Sequence, residues 1–149
     1  MTNHAQPFSR EEQVKFLNRM LEAERAGAKA LMAILDASPR RGEAWAALRR
    51  IHNAEAHNCV LIGKQIERLG ADYSHATGDF LSKLAAVNGT RARVEFLAKG
   101  LRWAVARFDE AMPCLDDEAR GTMVRIRESH VRSLELCESV VGMLAEDQH

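Results

Sequence analysis

Four long stretches of this chain carry apolar residues at alternating steps of three and four, and that period makes α-helix the element they form. The first stripe reads Leu17, Leu21, Glu24, Ala28, Leu31 and Leu35, and the second Leu48, Ile51, Glu55, Asn58, Ile62 and Leu69. A third runs Val94, Leu97, Leu101, Ala104, Phe108 and Ala111. The fourth runs Met123, Arg127, His130, Leu134, Cys137, Val141 and Leu144. The three prolines, at positions 7, 39 and 113, fall outside every stripe. Ser9-Arg-Glu-Glu12 has the form of a capping box, which starts a helix over 10–36, with Pro39 just beyond its end. A second helix is expected over 42–69, where Gly70 suits a helix C-terminus. The third and fourth are expected over 90–112 and 117–145, with Asp116 or Asp117 as N-cap of the last. Between the second and third, residues 70–89 form a connection with one apolar segment, Phe80 to Val87, long enough for two helical turns.

Connection lengths choose a topology for these elements. Helices of about 25 residues are roughly 38 Å long, and short turns join only antiparallel neighbours, so the first pairs with the second and the third with the fourth. The connection 70–89 can stretch to about 65 Å. It can therefore cross the whole bundle and leave the second and third helices parallel.

The polar members of the stripes carry the chemical interest. Glu24 stands about as far before the first turn as Glu55 stands after it, so the two carboxylates should face each other. The same counting puts Arg127 and His130 level with Lys99 to Trp103 of the third helix. Two carboxylates in an apolar interior cannot stay ionised without a cation or a hydrogen-bond network, the remaining course being a raised pKa. Glu24 and Glu55 supply two negative charges, Arg127 one positive, and a protonated His130 completes neutrality. A metal-free network of Glu24, Glu55, Asn58, Arg127 and His130 is thus a sufficient account of the layer. The competing account is one divalent ion, iron, manganese or zinc, held by Glu24, Glu55 and His130.

Leu17-Asn-Arg-Met-Leu21-Glu-Ala-Glu24 resembles the first-helix motif of bacterioferritins, in which the last Glu binds metal. Glu55 matches the Glu of that family's Glu-x-x-His, with Asn58 at the His position. Arg127-Glu-Ser-His130 resembles the second Glu-x-x-His, with Arg127 in place of the ligand Glu. The third helix has no ligand Glu in its stripe, and Glu95 lies off-centre. The resemblance implies an all-α, ferritin-like four-helix bundle with three of six ligand positions of a dimetal carboxylate site retained. Two carboxylates and one imidazole do not balance two divalent ions, so the di-iron site reads as vestigial.

The remaining residues narrow the function classes. With 21 basic and 21 acidic residues, no net field draws nucleic acid or an anionic membrane. Cys59, Cys114 and Cys137 are an odd set without metal-ligand spacing, which suits reduced thiols in a cytoplasmic protein. No stretch approaches the length of about 18 apolar residues that a membrane span needs. His52 and His57 are expected at the surface or its boundary, and Trp45 and Trp103 at packing or subunit contacts. The expectation is a homodimer whose function lies in binding a small molecule or protein partner. The alternative is the metal-dependent oxidoreductase, handling oxygen or peroxide, that resemblance to rubrerythrins and bacterioferritins implies.

Overall fold

The computed structural model describes residues 6–147. Among them there is no strand, and five α-helices follow in order: α1 Arg10–Asp36, α2 Glu43–Arg68, α3 Phe80–Ala85, α4 Thr90–Ala111 and α5 Asp117–Asp147, with a 3-10 turn at Met112–Cys114. Three of the helix ends are set by local contacts. Ser9 and Glu12 make the reciprocal capping box at the start of α1, each side chain meeting the other's backbone amide. At the end of α2, Gly70 takes φ +70°. That left-handed turn lets the amides of Gly70 and Ala71 reach the carbonyls of Glu67 and Ile66. Asp116 caps α5, its carboxylate accepting from the Ala119 amide at 2.9 Å.

The four long helices pack in a ring, α1 on α2, α2 on α5, α5 on α4 and α4 on α1, while the short α3 lies against α1 and α4. Arg10 at the start of α1 donates to the carbonyls of Leu69 and Gly70 at the end of α2, which makes that pair antiparallel. Arg68 at the end of α2 meets Asp116 at the start of α5, so this pair is antiparallel too. With α4 and α5 joined by a short turn, α2 and α4 run parallel across the diagonal. The crossover that links them is fastened on the way: Arg25 of α1 donates to the carbonyls of Ser74 and Ala76. Tyr73 lies over Gly63 of α2 and Phe80 over Gly100 of α4.

The interior consists of two apolar clusters. One gathers Leu31, Ile34, Leu48, Ile51, Leu97 and Val140 near the α1–α2 turn. The other gathers Leu17, Met20, Ile62, Phe108, Met123 and Ile126 towards the opposite end. Fully burying one such aliphatic side chain stabilises by about 1.5–3 kcal/mol, so the ends hold the ring together. Between them lies the layer that contains Glu24, Glu55 and His130.

On α5 the buried face differs from the expected one. It runs Ala119, Met123, Ile126, His130, Ser133, Cys137 and Val140, and the expected Leu134 and Val141 are only half-buried. Steps of three and four fit either Ile126 or Arg127 between Met123 and His130. Apolar burial decides for Ile126 and turns Arg127 outward. There the Arg127 guanidinium pairs with Asp109 of α4, Nε to Oδ1 at 2.6 Å. Burial of Ile126 gains transfer free energy, whereas a buried guanidinium would lose its hydration.

Candidate metal centre

Glu24 on α1, Glu55 on α2 and His130 on α5 converge in the layer between the clusters, each 2% exposed. One ligand atom from each lies within 4.8 Å of the others. The facing of Glu24 and Glu55 predicted from the first turn is therefore present. His130 Nε2 stands 3.0 Å from Glu24 Oε1 and 3.9 Å from Glu55 Oε1. His130 Nδ1 lies 3.0 Å from the Ile126 carbonyl one turn back. A carbonyl only accepts, so Nδ1 carries the proton and Nε2 is the atom turned towards the carboxylates. Phe108 of α4 meets the imidazole edge to face at 5.2 Å and fixes the plane of the ring. His130 is thus level with Phe108 rather than with Lys99 to Trp103.

The electrostatics of the layer are unbalanced. Burial disfavours a charged His130, but the Glu24 carboxylate, their contact and the Ile126 carbonyl together more than offset this and raise its pKa. With both carboxylates ionised, even a protonated His130 leaves one negative charge uncompensated. Apart from the 3.0 Å contact of Oε1 with His130 Nε2, both Glu24 oxygens are buried with no hydrogen-bond partner among the described residues. An unsatisfied buried charge of this kind costs several kcal/mol unless a cation meets it.

The other expected members of the network lie elsewhere. Arg127, counted as the neutralising charge, sits outside the layer and is spent on Asp109, so the metal-free neutral cluster loses its guanidinium. Asn58 is buried one turn from Glu55, but its amide points to Ser129 Oγ at 3.4 Å. Glu95 is exposed and pairs with Arg91. His52 and His57 take no part in the group. On α4 the level of the site is filled by Phe108 and Ala104, so the side of the layer facing that helix is apolar.

The donor set suits one divalent ion. Two carboxylates and an imidazole are acceptable to iron, manganese or zinc, and the second imidazole nitrogen is tied to a carbonyl, as ligand histidines usually are. Room is made for the carboxylate of Glu55 by Gly27 of α1, where a Cβ would come within 3.3 Å of Glu55 Cδ and Oε2. A helix-interior glycine costs about 1 kcal/mol relative to alanine, which marks Gly27 as a position held open. The sequence signal for it was available: Gly27 lies three residues after Glu24, on the same face.

A cavity of about 700 Å³ opens between α1, the crossover and α4 and has Glu24, Glu55 and His130 at its floor. Its walls include Phe80, Phe96, Leu101 and Trp103. Trp103, expected at a packing or subunit contact, therefore stands at the cavity mouth with the guanidiniums of Arg19 and Arg107 over its ring, 5.3 and 5.6 Å from the centroid. The thiols stay apart from this chemistry, since burial pushes Cys59 up to about 11 and Cys137 up to about 12. No helix among the described residues is long and apolar enough to cross a membrane.

No curated protein and no solved structure matches the chain. Residues 11–139, which cover α2 and α4, most of α1 and α5 and all three converging side chains, match the family described as a domain of unknown function, DUF6306, and the chain belongs to that family.

Proposed function

We propose that this chain is a ferritin-like bundle that holds a single divalent metal at Glu24, Glu55 and His130 and acts on a small molecule admitted by the cavity above them. The observation that carries this reading is the pair of buried Glu24 oxygens without hydrogen-bond partners, beside a second carboxylate and an imidazole nitrogen. Bound iron or manganese would supply redox chemistry and Lewis acidity at the cavity floor, and zinc the Lewis acidity alone. With iron or manganese, the reaction class is oxidation or reduction involving oxygen or peroxide.

The Ile126 carbonyl keeps the proton on His130 Nδ1 and so leaves Nε2 as donor atom. Glu24 and Glu55 provide negative charge and are the available proton acceptors at the floor. Phe108 and the aromatic wall limit water there, which strengthens every charge interaction in the layer. Metal analysis after chelation and reloading with iron(II), manganese(II) or zinc(II) tests the reading. One ion per chain, lost in Glu24→Ala, is expected, and absence of stoichiometric metal overturns it.

A second reading follows from the Glu24–His130 contact and the raised His130 pKa: a metal-free binding protein in which this ion pair orients a ligand. It expects unchanged ligand binding in the presence of a chelator, and a chelator-sensitive activity removes it.

A further inference from the structure

We infer that the cavity between α1 and α4 takes a small amphipathic monocarboxylate, with its apolar body along the aromatic wall and its carboxylate at Arg19 and Lys99. The ligand class rests on the metal-centre reading only for what the far end of the molecule meets. A volume of about 700 Å³ lies within the roughly 300–1,000 Å³ of ordinary small-molecule sites. Phe80 and Phe96 stack with centroids 5.0 Å apart at 26°. Phe80 is seated on Gly100, where a Cβ would approach its ring to 2.9 Å, so the wall is held in place by a residue with no side chain. Buried Leu101 and half-exposed Trp103 continue the apolar surface between floor and mouth.

Charge orders the cavity from mouth to floor. At the mouth Lys83 is paired with Asp79 at 3.1 Å, and these two cancel. Arg19, Glu22 and Lys99 also line the cavity, and none of the three has an ion-pair partner among the described residues. They leave one net positive charge, which matches one anionic head group. The floor rejects such a head in the metal-free chain, because Glu24 and Glu55 repel it. A divalent ion held by Glu24, Glu55 and His130 would offset the two carboxylates in charge, and the mouth would remain the positive end. A carboxylate on an apolar body of a few carbons therefore places its head outward and its least polar end against the triad.

Octanoate, octanol and octylammonium are matched probes for this assignment. Calorimetry should show octanoate binding at least about tenfold tighter than octanol in chelator-treated protein, and tighter than both octanol and octylammonium by the same factor in manganese-supplemented protein, the scale of one charge-assisted hydrogen bond. The double variant Arg19→Gln/Lys99→Gln, at two exposed positions, should reduce octanoate to the affinity of octanol and leave octanol unchanged. In a Trp45→Phe background, where Trp103 is the one remaining tryptophan, octanoate should shift the emission. Equal binding of octylammonium to the manganese-supplemented protein, octanoate affinity unaltered by the double variant, or no octanoate binding in either form overturns the inference. A manganese titration without octanoate reports the metal reading separately, so octanoate binding without manganese binding supports this inference while failing that one.

Discussion

At the end of the bundle Asp116 is met by donors from three directions, whereas at its middle Glu24 is met, among the described residues, by His130 alone. The Asp116 carboxylate accepts from Arg68 of α2 at 2.8 Å, from the Gln13 side chain of α1 at 3.1 Å and from the Ala119 amide at 2.9 Å. Gln13 in turn accepts from the Asp116 amide at 2.9 Å. Three long helices are joined there, close to solvent, by a carboxylate both of whose oxygens have donors and by Arg68, which also meets Glu118 at 2.8 Å, so no Asp116 oxygen is left over for a ligand. The mid-bundle layer also joins three helices, but with two carboxylates to one imidazole, unsatisfied oxygens and a cavity leading to it. A cluster that only stabilises a fold uses up its polar capacity, and a binding site keeps some of it open.

The comparison breaks most sharply on metal affinity. Glu55→Gln should lower manganese affinity by more than the roughly 10–100-fold that loss of an outer-shell partner costs, while Asp116→Ala should leave it unchanged, both read by calorimetry. Stability of the metal-free protein should then respond with opposite signs. Asp116→Ala removes the α5 cap and should cost about 1–2 kcal/mol, a fall of about 2–4 °C in Tm per kcal/mol for a chain of this size. Glu55→Gln removes one of the two carboxylates and should raise stability by on the order of 1 kcal/mol, and a fall in Tm would count against a charge-strained layer.

The pH dependence separates the two clusters again. Burial opposes ionisation of Asp116, but the Ala119 amide and Arg68 outweigh it and hold its pKa below the ordinary carboxylate range. Its stabilisation is present above the unfolded-state pKa and is lost as pH falls through the folded one. His130 is raised, so in chelator its stabilisation is present below the ordinary imidazole pKa and is lost as pH rises through the folded value. Urea midpoints against pH should therefore lose an acid-side slope in Asp116→Asn and a slope above the ordinary imidazole pKa in His130→Gln. The smallest effect belongs to Gly27→Ala. Better helix propensity and the crowding of Glu55 should nearly cancel in Tm, while metal affinity falls by about threefold, below 1 kcal/mol.

The helices were legible because capping, proline and stripe signals are local: Ser9 to Glu12, Gly70 and the turn at Pro113 each act within a few residues. Glu24, Glu55 and His130 were legible because a charge at a stripe position contradicts its neighbours. Arg127 was misplaced because heptad spacing admits two adjacent residues and the likeness of Arg127-Glu-Ser-His130 to a ligand motif favoured the wrong one. Ile126, the apolar choice, carried the physical signal. Gly27, Phe80 and Trp103 acquire their roles only from what crosses the bundle to meet them.

By itself the sequence determined which segments become helices, which face α1, α2 and α4 turn inward and that carboxylates interrupt two of those faces, since periodicity and capping depend on neighbours along the chain. Only the tertiary structure decided that Arg127 leaves the layer for Asp109, that α4 meets the layer with Phe108 and that a cavity reaches the floor. Those outcomes depend on the azimuth and level of one helix against another, which side-chain volumes and desolvation set across the bundle.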